Sequence, residues 1–316
     1  TFIWFDDPVG RQLRDALTAA ARRGVTVHVL FDGWGSPGID AAFLRPLVEA
    51  GGKPRAFEPA RTLFGLRLNL LRRMHRKLVV IDARRAFVGG INYSIDHLGI
   101  SGPEAKQDYA VEVAGALVAQ IHAFCRASLV TPQPPRERWR NAYRQLRHIA
   151  ARRRGGTAQA ARPVPRRSGK AEDDGTPNRA ASAVAEATPQ GPLAAFVTRD
   201  NYLHRDDIER QYRLAMRLAS RRILIANAYF FPGWRLLREM RRAARRGVRV
   251  ELVLQGMPDM AIVRTGASLL HAHLVGAGVR IHEYCERPLH GKVAVIDDTW
   301  ATVGSTNLDP ISLGLN

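Results

Sequence analysis

Two histidines, two lysines and two asparagines recur in this sequence at one spacing. Residues 75–92 read HRKLVVIDARRAFVGGIN and residues 290–307 read HGKVAVIDDTWATVGSTN. Both run His, one residue, Lys, four residues, Asp, six residues, Gly-Gly or Gly-Ser, one residue, Asn, and the copies lie 215 positions apart. A histidine with a neutral ring nitrogen can attack phosphorus, and a second, protonated histidine can protonate the leaving alcohol. Lysine and asparagine side chains stabilise phosphoryl oxygens as charge develops on them. One copy would be half a site, because this chemistry wants one histidine on each side of the phosphorus.

Strand alternation sets out the roles. In HRKLVVID it puts His75 and Lys77 on one face, with Leu78 and Val80 on the other, and His290 and Lys292 stand likewise in HGKVAVID. Gly89–Gly90 and Gly304–Ser305 are expected to make a tight return, bringing Asn92 and Asn307 back beside the histidines. Small residues there also leave a ligand room near the backbone. The catalytic set by spacing is His75, Lys77, Asp82, His290, Lys292 and Asp297, with Asn92, Asn307 and Ser305 as phosphate-binding groups. Asp82 and Asp297 fall on the opposite face from the histidines, where structural pairing is the expected role. Lysine is a rare metal ligand and no carboxylate–histidine cluster is adjacent in sequence, so no metal and no cofactor is expected.

The elements that must position these residues are also duplicated. AARRGVTVHVLFDG (20–33) has a twin in AARRGVRVELVLQG (243–256), each at the end of an amphipathic helical pattern, Val9 to Ala21 and Trp234 to Ala244. Gly24 and Gly247 are expected to stop those helices, since glycine takes the left-handed conformation cheaply. FLRPLVEAGGKPRAFEP (43–59) parallels LLHAHLVGAGVRIHEYC (269–285), again helix, glycine, strand. The expected fold class is therefore α/β, in two pseudo-twofold-related halves with the active site at their interface. The first half is placed at residues 1–130 and the second at 193–316. A basic helix and flexible linker fill 131–192, where a proline cluster is followed by an unpatterned Ala/Pro/Arg/Ser/Thr run.

The formal net charge is +19, and residues 131–192 hold 13 Lys/Arg against 5 Asp/Glu. Such a field draws polyanions, either nucleic acid or an anionic membrane surface. Apolar residues make up 46% of the chain, enough for a core, so a disordered protein is excluded. The two cysteines, Cys125 and Cys285, make no disulfide framework and suggest a reducing compartment. No apolar run approaches the roughly 18 residues of a membrane span, and no signal peptide is evident. The ends, apolar TFIWF and an uncapped Asn316, suggest a piece of a longer chain.

The doubled eighteen-residue pattern resembles the HKD motifs of the phospholipase D superfamily, and the resemblance covers nearly the whole chain apart from 131–192. Within it, FIWFDDPVG, VLFDGWGS, RDNYLHRDDIE, IANAYFFPG and ATVGSTNLDPISL are similar to the bacterial cardiolipin synthases that lack transmembrane helices. The resemblance implies a phosphohistidine intermediate, no metal, and transfer to water or an alcohol. It implies His75 as nucleophile and His290 as general acid, with Lys77, Lys292, Asn92 and Asn307 on the phosphate. It also implies an acidic residue after each motif that orients a histidine. Asp108, in KQDYAVEVAG, matches that place in the first copy, and the second equivalent falls near or beyond Asn316.

The implied reaction moves a phosphatidyl group onto the alcohol of phosphatidylglycerol, at the cytoplasmic side of a bacterial cell membrane to which the protein attaches peripherally. An anionic phospholipid fits the positive field, and the basic-apolar FGLRLNLLRRMHRK (64–77) is expected to dip into an anionic bilayer. Trp34 and Tyr229-Phe230-Phe231-Pro232 are expected to line an acyl-chain entrance. The rival readings are a phosphodiesterase of the same superfamily that hydrolyses phospholipid or nucleic acid, and a membrane-binding module without activity. Nucleic acid is not the expected partner.

Overall fold

The computed structural model describes residues 1–57, 62–63, 66–67, 74–130, 192–199, 204, 206–256 and 270–308. The expected basic helix and linker at 131–192 lie outside the described residues, apart from Pro192. So does most of the basic-apolar run before His75. Residues Thr1–Ala127 and Ala195–Asn316 form one compact unit that contains both copies of the motif.

The first half begins with helix α1 (Pro8–Arg22). Asp7 caps it, its Oδ1 accepting from Gly10 N at 2.8 Å, and Pro8 supplies a pre-set φ at the first helical position. Gly24 closes it at φ +87°, the left-handed value expected of a residue just past a helix end. Strand β1 (His28–Asp32) follows, then α2 (Ala41–Glu49) and β2 (Lys53–Phe57), which pairs parallel to β1. Trp4, Phe31, Phe43 and Leu47 form the core beneath them. The short strands β3 (Thr62–Leu63) and β4 (Leu66–Arg67) make a small hairpin. The first motif supplies β5 (Leu78–Ile81) and β6 (Arg85–Gly89), and β7 (Ala110–Ala114) and α3 (Leu117–Leu129) complete this half.

The second half has α4 (Asp207–Leu218), β8 (Arg222–Asn227), α5 (Trp234–Arg245), β9 (Arg249–Gln255), β10 (Arg280–Tyr284), β11 (Lys292–Ile296) and β12 (Trp300–Val303). Its five-stranded sheet runs β10-β9-β8-β11-β12, with β8 in the centre, parallel to β9 and antiparallel to β11. Alternation along β8 and β9 buries Ile223, Ile225, Val250, Leu252 and Leu254. Helical spacing brings Leu236, Met240 and Ala243 of α5 and Tyr212 and Met216 of α4 onto the same core. In the first half the corresponding strands fall into two sheets, β1-β2 and β5-β6-β7. Among the described residues, Thr1 stands where β8 ends in the second half: its amine donates to Leu30 O at 2.7 Å, and its carbonyl accepts from Asp32 N at 3.1 Å.

The turns of the two motif hairpins correct the sequence reading. The tight turns fall at Asp82-Ala83 (φ 51° and 52°) and Asp297-Asp298 (φ 51° and 60°), not at the glycines. Three residues separate the paired Ile81 and Arg85, and likewise Ile296 and Trp300. Within each loop the turn closed by Arg84 N on Ile81 O, or Thr299 N on Ile296 O, has positive φ at both central positions, a region that Asp tolerates better than most residues. Gly89 instead ends β6, where a Cβ would come within 2.3 Å of Tyr109 O, just before β7. No helix among the described residues is long and apolar enough to cross a membrane.

Candidate active site

The two motifs converge through a short parallel bridge between Gln107 and Leu289. Gln107 N donates to Pro288 O and His290 N donates to Gln107 O, each at 2.8 Å. The residue after Gln107 is thereby delivered beside His290. Asp108 Oδ2 accepts from His290 Nδ1 at 2.6 Å, and Asp108 Oδ1 accepts from Tyr109 N at 2.8 Å. The acid that follows the first motif thus orients the histidine of the second. The complementary crossing comes from His75, whose Nδ1 donates to the carbonyl of Ser305 at 2.8 Å. Both imidazoles spend Nδ1 on the protein, a hydrogen bond that sets the tautomer and turns Nε2 toward the site, where His75 Nε2 lies 3.4 Å from Lys77 Nζ.

The electrostatics are cationic. Lys77 and Lys292 are buried, 5% and 2% exposed, with their ammonium groups on the carbonyl oxygens of His75 and His290. Burial, then the charge of Lys292, pulls the Lys77 pKa well below its usual value. Burial, then Lys77 and Lys292, holds His75 well below the ordinary imidazole range, so that it is neutral near pH 7. His290 is lowered for the same reasons, burial first and the two lysines next. Burial raises the pKa of Asp108, and Lys292 opposes it. Two buried lysines whose charges lower the pKa of both histidines make a site suited to a negatively charged ligand.

Asn92 and Asn307 are buried, 4% and 7% exposed. Asn92 Oδ1 accepts from Ile3 N at 3.3 Å, whereas Asn307 Oδ1 is buried without a hydrogen-bond partner. Ser305 contributes its carbonyl to His75, as described above. Asp82 and Asp297, included in the catalytic set by spacing, lie apart from the histidines. Asp297 takes hydrogen bonds from Ser220 N and Oγ, Arg221 N and Arg222 N at 2.6–2.9 Å, which tie the β11–β12 turn to the start of β8. Asp82 is exposed on its turn. The physical reason is parity: Asp82 and Asp297 each stand seven residues past a histidine, on the far face and at the far end of the strand. The acyl-entrance expectation also needs correction at Phe230, which is buried in the core of the second half, while Trp34 is 38% exposed.

Several site residues were not singled out in sequence. Phe2 packs its ring 4.7 Å from the His75 ring and 4.9 Å from Lys77 Nζ. Asp32, 1% exposed, accepts from Trp34 N, Gly35 N and Met74 N, and so fixes the chain just before His75. His97 lies beside Asp108 and edge-on to His290. Its position five residues past Asn92 is the only sequence cue to it.

His97 Nδ1, Asp108 Oδ2 and His290 Nδ1 all lie within 4.8 Å of one another. The 2.6 Å between Asp108 and His290 is a hydrogen-bond length. Two ligands held on one cation by bonds of about 2.0–2.2 Å sit about 3.3 Å apart. Asp108 and His290 therefore share a proton, and the three groups do not fit a preformed metal centre.

Two α/β halves that each bring a histidine and a lysine to one cationic site define a phospholipase D-like protein. The family model described as "Cardiolipin synthase, PLD-like domain" matches residues 1–123 and 212–316, and the chain belongs to that family. It is 49% identical over 316 residues to cardiolipin synthase B of Escherichia coli K12, covering all of this chain and 67% of that protein. It is 50% identical to cardiolipin synthase B of Salmonella typhimurium, with the same coverage. It is 31% identical to cardiolipin synthase A of Pseudomonas fluorescens, over 57% of that protein. Among solved structures, phosphatidylserine synthase of Haemophilus influenzae aligns with a TM-score of 0.60 at 16% identity, covering 99% of this chain and 73% of that one. That likeness shows the fold.

Proposed function

We propose that the chain is a phosphatidyltransferase that makes cardiolipin, carrying the phosphatidyl group on histidine and delivering it to an alcohol of phosphatidylglycerol. Its likeness to cardiolipin synthases along the whole of this chain, with both motifs whole, supports this. The observation that carries the mechanism is the Asp108–His290 pair. An imidazolium is stabilised beside a carboxylate, so His290 takes the acid–base role. The resemblance of the first motif to those of the superfamily supports His75 as the nucleophile.

In this reading His75 Nε2 attacks phosphorus, a P–N bond forms, and the P–O bond to the departing headgroup alcohol breaks. His290 Nε2–H gives its proton to that alkoxide. The hydroxyl of the acceptor phosphatidylglycerol then attacks the phosphohistidine while His290 takes the hydroxyl proton. The P–N bond breaks and His75 is restored. Lys77, Lys292, Asn92 and Asn307 hold the phosphoryl oxygens throughout. Burial, then Lys292 and Lys77, favours the neutral form of His290. A phosphodiester between the lysines offsets the charges that keep it so, and substrate binding itself favours the proton that the first step consumes. The finer assignments belong to the same proposal: peripheral attachment, on the cytoplasmic side of a bacterial membrane.

Incubation with labelled phosphatidylglycerol vesicles tests this. Cardiolipin and glycerol are expected from the wild type, with loss of at least about 10³-fold in His75→Ala and His290→Ala, the scale of removing a member of a concerted catalytic pair. Acid-labile label on the wild-type protein, absent from His75→Ala but formed slowly by His290→Ala, fits the assigned roles. Phosphatidic acid as the sole product makes the protein a hydrolase and overturns the transferase reading.

A further inference from the structure

His97 has no part in the chemistry above, yet it is placed against the residue on which that chemistry depends. It ends a short 3-10 turn, Ile95–His97, whose first amide donates to Asp7 Oδ2 at 2.7 Å, at the start of α1. Its side chain is 4% exposed, and its ring meets that of His290 edge-on, at 5.5 Å and 73°. Its Nε2 accepts from the backbone N–H of Asn92 at 3.4 Å, which puts the ring proton on Nδ1. Nδ1 is buried, has no hydrogen-bond partner, and stands 3.9 Å from Asp108 Oδ2. A buried donor without an acceptor is costly, so a small movement of the carboxylate toward it is favoured.

We infer that His97 is a positioning residue: its Nδ1–H closes on Asp108 Oδ2 as a second donor and so keeps that carboxylate charged and aimed at His290 Nδ1. The inference rests on the reading of His290 as the proton donor and acceptor. Asp108 needs such help because it is surrounded by burial. It faces Lys77 and Lys292 as well as the two histidines. His97 in turn faces Asp108, Lys106, Asp96, Lys77 and His290, and the Lys106 charge is already engaged by Asp96 at 2.6 Å. Burial keeps His97 neutral. It therefore gives Asp108 a donor without adding a full charge that would compete with His290 for the proton.

The test uses three variants. His97→Asn places an amide N–H near Nδ1, His97→Gln places one near Nε2, and His97→Ala removes both. Expected for His97→Ala is a fall in kcat of roughly tenfold or more, the scale of losing a hydrogen bond that orients a functional group, with KM little changed. Without the donor the charged form of Asp108 loses support and its pKa rises, so the acid limb of the kcat profile moves to higher pH. His97→Asn is expected to restore both, and His97→Gln neither.

The Nδ1 proton resonance of His290, followed by NMR without substrate, supplies a readout independent of turnover. It is expected to be far downfield in wild type and to be lost at higher pH in His97→Ala than in wild type. An inactive wild type with this resonance behaviour intact would count against the proposed reaction and not against the positioning role. An unchanged acid limb and an unchanged resonance in His97→Ala, or equal rescue by Asn and Gln, overturns the inference.

Discussion

Gly90 leaves the space that Asp108 occupies. A Cβ at position 90 would stand 2.3 Å from Asp108 Oδ1 and 2.7 Å from Oδ2, whereas one at Gly304 meets nothing within 4 Å. Gly90 holds the place that Ser305 holds in the second copy, so the two motifs differ here: the first needs a residue without a Cβ to give room to a carboxylate, and the second does not. Gly90→Ala is expected to displace Asp108 from His290 and lower kcat by about 10²-fold, the scale of an ångström's misplacement of a catalytic group. Gly304→Ala is expected to stay near wild type, with both variants compared by thermal melting to confirm that they fold. Activity retained in Gly90→Ala would show that the Asp108–His290 contact does not limit the reaction.

At the scale of the element, each motif is a hairpin whose turn is made by its aspartate, and the two hairpins are anchored unequally. Asp297 gathers the amides of Ser220, Arg221 and Arg222, while Asp82 is exposed. Those backbone donors, Arg222 first, hold the Asp297 carboxyl far below the usual range. Asp297→Asn keeps a residue tolerant of positive φ but loses the charge, and is expected to destabilise the fold by about 1–3 kcal/mol near neutral pH. Asp82→Asn is expected to change stability little. A carboxylate with a depressed folded pKa stabilises above its unfolded value of about 3.9 and loses that contribution as pH falls toward the folded one. The deficit of Asp297→Asn should therefore be full at pH 6 and above, and shrink below about pH 4. Thermal melts at several pH values check it, and a pH-independent deficit would point to shape instead of charge.

For the molecule as a whole, the net charge of +19 has to be read with its distribution. Helix α5 buries Leu236, Leu237, Met240 and Ala243 and turns Arg235, Arg238, Arg242 and Arg245 outward, with Trp234 60% exposed at its start. A basic face with an aromatic at its end suits the headgroup layer of an anionic bilayer. Binding to phosphatidylglycerol vesicles is expected to exceed binding to neutral phosphatidylcholine vesicles. It is expected to weaken as salt rises from 0.1 to 1 M, when the screening length falls from about 10 to about 3 Å. Vesicle flotation measures this. Equal binding to both vesicle types would remove charge as the basis of membrane attachment.

The duplication, the α/β character and the residues proposed to react were legible in the sequence, because each is a local matter. Helix and strand periods, glycines past helix ends and the spacing of His75, Lys77 and Asn92 are all written within short windows, and the second copy repeats them. The same local logic put Asp82 and Asp297 on the face away from the histidines, whereas the structure has them in the hairpin turns just past the strands. What it could not give was which atom meets which across the two halves. That Asp108 serves His290 and that Ser305 O receives His75 depend on how the segments before β7 and β11 align, at the Gln107–Leu289 bridge among others. That bridge closes a loop of more than half the chain, and its register is set by packing that no single window of residues contains. His97 lies beyond local reading for the same reason. Its neighbours in sequence are a turn, and its neighbours in space are the two groups, from opposite halves, on which the proton chemistry depends.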